Sequence, residues 1–131
     1  MTQSLQQRRA AYALTSIRQL VDDAHIDNKA LKSVANDLPA QILMNGLGQA
    51  SALCLSRDTP EHKAMYGLLS GWLCGADGPY QGQTDLLTGI TSADMHQYRL
   101  AQAEALTLLP WVKRFARAFI SEEPDTQEEQ P

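Results

Sequence analysis

The sequence predicts an all-α fold: a single-domain bundle of about six helices packed around one uncharged helix. Three observations carry this. Apolar residues recur at helical spacing along most of the 131 residues. No run alternates β-branched apolar and polar residues as a half-buried strand would. The stretch 38–56, Leu-Pro-Ala-Gln-Ile-Leu-Met-Asn-Gly-Leu-Gly-Gln-Ala-Ser-Ala-Leu-Cys-Leu-Ser, contains no ionic residue, whereas an ordinary surface helix places Lys and Glu on its outer face.

The first helix is predicted over 4–24, with Ala10, Ala13, Leu14, Ile17, Leu20, Val21 and Ala24 on its apolar face. Arg18 and Asp22 stand i,i+4 on the other side and are expected to pair. A second helix covers 27–37, with Leu31, Val34, Ala35 and Leu38 apolar and Lys29 and Lys32 outward. Pro39 disfavours helical geometry at Leu38 and predicts a bend there. The uncharged helix follows, with Ile42, Leu43, Gly46, Leu47, Ala50, Leu53 and Cys54 on one face and Asn45, Gly48, Gln49, Ala52 and Ser56 on the other. Gly46 and Gly48 each cost roughly 0.8–1 kcal/mol relative to Ala inside a helix, so close neighbours are expected there.

Thr59 reads as an N-cap, Pro60 as the first helical residue and Glu61 as a first-turn acid. That helix reaches Cys74, and 75–83 is loop. Thr84-Asp85 opens a short helix carrying Leu86, Leu87 and Ile90. Thr91 or Ser92 is the predicted cap of the last and longest helix, 93–120. Tyr98, Ala101, Ala105, Leu109, Val112, Ala116 and Phe119 form its main apolar stripe, with Leu108, Trp111 and Phe115 beside it. Arg99, Lys113, Arg114 and Arg117 share the opposite sector without an acid among them, and Pro110 lies on that side. Glu104 falls among the apolar positions and is expected to be partly buried and paired.

The net charge of −4 hides a division. The tail 121–131 holds Glu122, Glu123, Asp125, Glu128 and Glu129 and no base. Its removal leaves 10 of 15 acids against 11 bases, so residues 1–120 form a near-neutral helical domain and the tail reads as disordered. Two Gln, one Asn and two Ser along 38–56 argue against a membrane span. Polar and basic residues after Met1 argue against a secretory signal, so a cytoplasmic protein with reduced Cys54 and Cys74 is expected.

Catalytic and metal chemistry find little support. Cys54 and Cys74 read as core thiols, with no His near Cys54 in sequence. His62 is expected to be exposed. Asp22, Asp23, His25 and Asp27, and separately Asp94 with His96, have the placement of capping residues, and no metal-ligand motif occurs. No cofactor is expected. Gly46-x-Gly48 lacks the preceding strand and the Lys-Ser/Thr ending of a phosphate loop. The basic sector is the surface feature that points to a partner, because Lys and Arg neutralise a nucleic-acid backbone without reading its sequence.

Residues 38–50, Leu-Pro-Ala-Gln-Ile-Leu-Met-Asn-Gly-Leu-Gly-Gln-Ala, resemble the Leu-Pro…Ile-Leu-x-Asn-Gly-Leu motif of the small subunit of the type III-B (Cmr) CRISPR RNA-guided effector complex. Residues 68–73, Leu-Leu-Ser-Gly-Trp-Leu, resemble its Leu-Ser-x-Trp-Leu segment. Tyr98-Arg99, Glu104-Ala105-Leu106 and the run from Trp111 to Ala116 resemble its C-terminal motif. The resemblance implies an all-helical, non-catalytic subunit of an antiviral complex. It implies copies stacked in a filament beside the repeated backbone subunits and the large subunit, lining the path of target RNA paired with guide RNA. Carried onto this sequence, it makes Lys113, Arg114 and Arg117 RNA-backbone contacts, with Arg99 a further candidate, and Asn45 and Gln49 structural or interface positions. Pro110 departs from the ordinary helix former of that motif. The competing reading of the same residues is a helical protein–protein adaptor without nucleic-acid contact.

Overall fold

The computed structural model describes residues 2–121, so the tail from Glu122 onward lies outside the described residues. Its helices are α1 (Leu5–Val21), α2 (Asn28–Ser56), α3 (Pro60–Leu73), α4 (Leu86–Ser92) and α5 (Met95–Phe119). No strand occurs among the described residues. Each helix starts on a side-chain cap. Ser4 and Gln7 form a reciprocal capping box, and Asp27, Thr59, Asp85 and Asp94 accept from the first turns of α2 to α5. Such caps each stabilise by about 1 kcal/mol.

The predicted start of the last helix shifts. Thr91 and Ser92 finish α4, their hydroxyls donating back to the carbonyls of Leu87 (2.8 Å) and Thr88 (2.6 Å). Asp94, two to three residues further on, is itself the cap and accepts from Gln97 N–H at 2.9 Å. Asp outranks Thr and equals Ser as an N-cap, so the extended backbone at Ala93, which ends α4 there, sets the position of the cap.

α5 is the spine. It packs against α1 on one side and α2 on the other, α3 packs mainly on α2, and α4 bridges α2 and α3. Ala101, Ala105, Leu108, Leu109, Val112 and Ala116 of α5 are buried, as its period requires. Phe119 departs from that stripe: it is 40% exposed, with the Arg18 guanidinium 5.6 Å from its ring centre. Arg18 therefore stacks on an aromatic face instead of pairing with Asp22, whose N–H closes α1 on the Arg18 carbonyl. In the 74–85 loop, the Tyr80 ring is buried against Gly89, where an added Cβ would come within 2.7 Å of ring Cγ.

The two predicted helices on either side of Pro39 are one. α2 runs through Pro39 and breaks instead at Gly46, which has φ 87° and ψ 158°. Glycine tolerates that backbone and a side chain does not. Packing decides between the two candidate breakers. Leu38 and Ile42 before the break and Leu47, Ala50 and Cys54 after it are all buried, an arrangement that a turn at Gly46 permits. The break also changes the helical phase. Leu43, placed by the pattern on the buried face, is 71% exposed, and Met44 is 76% exposed.

Candidate functional site

A helix restarted at Leu47 has first-turn N–H groups with no partner in the preceding turn. α5 supplies the acceptors. Gln102 Oε1 accepts from Leu47 N–H at 2.9 Å, and Tyr98 OH accepts from Gly48 N–H at 3.0 Å. The glycines thus sit beneath side chains and not beneath another backbone. A Cβ on Gly46 would lie 3.1 Å from Tyr98 OH, and one on Gly48 would meet Ile90 and Tyr98 at 3.4 Å and 3.6 Å. At the outer side of this elbow, Asn45 and Gln49 are exposed, and Asn45 Nδ2 donates to Gln41 Oε1 at 3.0 Å.

Glu104 is held where the sequence expects it. Its carboxylate accepts two bonds from the Arg9 guanidinium, at 2.6 Å and 2.8 Å, and one from Trp72 Nε1 at 2.8 Å. The side chains of Arg9 and Glu104 are 13% and 11% exposed. Desolvation pushes the carboxyl up. The donated bonds from Arg9 and Trp72 and the charge of Arg9 outweigh it and hold Glu104 below the usual glutamate value. The Glu104 bond in turn raises Arg9, so both groups are ionised. Three helices, α1, α3 and α5, meet at this node.

The opposite sector of α5 is open. Pro110, Lys113, Arg114 and Arg117 line a concavity of about 400 Å³ together with Pro39 of α2. Arg114 and Arg117 are exposed and Lys113 is half-buried. Among the described residues no carboxylate lies within ion-pair distance of these three or of Arg99. Arg99 does not line the groove. It stands fourteen positions before Lys113, roughly 21 Å away along the axis at 1.5 Å per residue.

A second concavity, of about 160 Å³, opens inside the elbow between the two arms of α2 and brings Cys54 and His62 to one lining. His62 is half-buried and not exposed, because its Nδ1 lies 2.7 Å from the Thr59 hydroxyl. Burial pushes the Cys54 thiol up, more than the Arg57 charge draws it down, so the thiolate is disfavoured. Asp27 and Asp94 are spent on caps, and Asp23 accepts from His25 N–H at 2.8 Å.

The CRISPR-associated protein (Cas_Cmr5) family profile matches residues 5–119, which is every helix described above. The chain belongs to this family. The CRISPR system Cmr subunit Cmr5 of Thermus thermophilus is 33% identical over 91 residues, which span 70% of this chain and 75% of that protein. The crystal structure of a CRISPR-associated Cmr5 family protein from the same organism superposes with a TM-score of 0.76 at 27% identity. That match covers 92% of this chain and 100% of the other. The Cas_Cmr5 match spans both the elbow and the basic groove. Among the described residues no helix is long and apolar enough to cross a membrane.

Sequence reasoning assigned Tyr98 to the apolar stripe and missed Gln102. The sequence signalled the need but not the residues: a Gly able to reverse φ inside a helix demands acceptors for the N–H groups that follow it, and these come from 55 and 50 positions away. The missed exposure of Leu43 and Met44 has the same origin, since a break at Gly46 removes the phase on which the helical projection depended.

Proposed function

We propose that this Cas_Cmr5 chain is the non-catalytic small subunit of a type III-B CRISPR RNA-guided effector complex, and that its work is positional. Further copies of the chain stack along a filament, with the backbone and large subunits as neighbours. The groove of Lys113, Arg114 and Arg117 faces the phosphates of guide RNA paired with target RNA. The family supplies the membership of a Cmr complex. The observation that carries the RNA contact is the groove itself: three cations around one concavity, outside the ion pairs of the described fold. Charge so placed binds phosphate and does not read bases, because no aromatic platform lines the same concavity.

The elbow supports the lateral contacts. Leu43, Met44, Asn45 and Gln49 form an exposed surface without charge, which desolvates cheaply against a neighbouring subunit. The same exposed apolar pair favours a second reading, an adaptor that joins proteins and never touches RNA. Reversing the groove, with Lys113→Glu, Arg114→Glu and Arg117→Glu together, separates the two. The RNA-facing reading gives a loss of RNA affinity of about a hundredfold or more with assembly intact. It also gives a salt slope reduced by about 0.7–0.9 for each phosphate contact removed. RNA affinity and salt slope equal to those of the unchanged protein would leave the adaptor standing.

A further inference from the structure

Two prolines meet at the basic groove, and the fold itself has little use for either. Pro39 stands inside α2 and Pro110 inside α5. Proline is the least favourable residue in a helix interior, because it removes a hydrogen bond and its ring crowds the preceding turn. Neither one shapes its helix. α2 keeps helical geometry through Pro39 and leaves it only at Gly46, and α5 runs unbroken through Pro110. Neither one fills the core, since Pro39 is half-buried and Pro110 exposed. Both line the concavity of about 400 Å³, from facing helices, beside Lys113, Arg114 and Arg117. The groove therefore joins two chemistries. The cations suit phosphate. The pyrrolidine rings offer apolar carbon and no N–H, so nothing at those two points donates to a base edge. A paired duplex answers only the first, because it turns phosphate and ribose outward and keeps its base faces inside the stack. A nucleotide with an unpaired base answers both. The space lies at the lower end of small-ligand sites, roughly 300–1,000 Å³, which suits one such unit and does not admit two paired strands.

We propose that the groove seats one unpaired nucleotide of an RNA strand, its phosphate on Lys113, Arg114 and Arg117 and its base against the rings of Pro39 and Pro110. This rests on the RNA-facing reading above and narrows it, from a track for phosphates to a seat for a nucleotide out of its pair. The seat distinguishes unpaired from paired RNA by the apolar face that only an unpaired base exposes. It does not distinguish one base from another, because the prolines carry no donor to read an edge.

The full chain is tested against labelled probes of one length: an oligouridylate, an abasic strand with the same phosphates, and a blunt RNA duplex. It is compared with a full-length variant carrying Pro39→Ala and Pro110→Ala, changes that favour the helix and leave the fold intact. The parent should bind the oligouridylate about three- to tenfold more tightly than the abasic strand, less than an aromatic platform would give. That gap should persist as salt rises, because both strands carry the same phosphates. In the variant the gap should shrink to about twofold or less, with the abasic and duplex affinities unchanged. The NMR signals of the Pro39 and Pro110 ring protons should move with the oligouridylate and not with the abasic strand. Equal parent affinities for these two strands would overturn the proposal, and that comparison does not depend on the variant. So would a gap that survives both substitutions, or one that closes as salt rises. An equal loss on all three probes would make the prolines structural and overturn it too. If the parent binds none of the three, the RNA-facing reading itself fails, and the seat with it.

Discussion

Helix α5 carries charge in two ways, and the contrast separates architecture from function. On its inner side Glu104 is closed in by Arg9 and Trp72, its two oxygens accepting three bonds from donors on two other helices. On its outer side Lys113, Arg114 and Arg117 surround a concavity and meet no carboxylate of the described fold. A closed charge contributes to the fold only while all its partners remain. An open cluster costs the fold some repulsion and is available to an outside anion. Substitutions at the first place should therefore move stability and leave binding alone, and substitutions at the second should do the reverse.

The largest effect is expected at the closed charge. Glu104→Ala leaves the Arg9 guanidinium desolvated without its anion and the Trp72 N–H without an acceptor. Removing one partner of a buried ion pair costs roughly 3–5 kcal/mol. The lower end suits a pair that retains some exposure, and it corresponds to a melting temperature lower by about 10 °C. Thermal unfolding of the variant checks this, and a shift of only a degree or two would show that the node does little for the fold. Arg9→Ala combined with Glu104→Ala should cost clearly less than the two single changes summed.

Gly46→Ala tests an intermediate case, in which α5 presents neutral acceptors to a strained backbone. A side chain at φ 87° and ψ 158° costs of order 1–3 kcal/mol, and its Cβ would press on Tyr98 OH. We expect about 2 kcal/mol in denaturant unfolding. Tyr98→Phe, which removes only the acceptor for Gly48 N–H, should cost about 1 kcal/mol. A Gly46→Ala protein as stable as the parent would mean that the elbow straightens without penalty, and the exposure of Leu43 and Met44 would lose its explanation.

The pH dependence of the node follows from the sign of its shift. Glu104 sits below the usual glutamate value in the folded protein. Its ionised form therefore stabilises the fold above the unfolded value, about 4.3, and that contribution fades as pH falls through the lower folded value. Glu104→Gln should be less stable than the parent at neutral pH and should approach it in acid. Urea midpoints that stay equally far apart from about pH 7 down to about pH 3.5 would contradict the ionised pair.

Much of this contrast was legible in the sequence. A lone acid in an apolar stripe announces a buried pair, as Glu104 did, because burial without a partner is too costly. Four cations on one sector announce an outward face. What the pattern could not convey was relative position across the chain. Arg9 and Trp72 were not identifiable as the partners of Glu104, since side chains 95 and 32 positions away leave no periodic mark. Pro39 and Gly46 are both helix breakers on paper. The choice between them depends on whether α5 brings Tyr98 and Gln102 within hydrogen-bond distance of Leu47 and Gly48, a tertiary fact with no local signal. Helical projection is reliable within one unbroken helix and fails at such a joint, which is why Leu43 was placed inward.

The smallest effect sharpens the outer half of the contrast. Arg99 shares a sector with the groove residues but stands roughly 21 Å from them along α5. If clustering around one concavity matters, and not cationic character alone, Arg117→Ala should weaken RNA binding more than Arg99→Ala. A single phosphate contact changes the salt slope by about 0.7–0.9, so Arg117→Ala should show most of that change and Arg99→Ala a fraction of it. Both variants should unfold within about 0.5 kcal/mol of the parent, as exposed side chains without a partner in the fold do. Equal losses at the two positions would extend the RNA path along the whole of α5 and dissolve the groove as a distinct site.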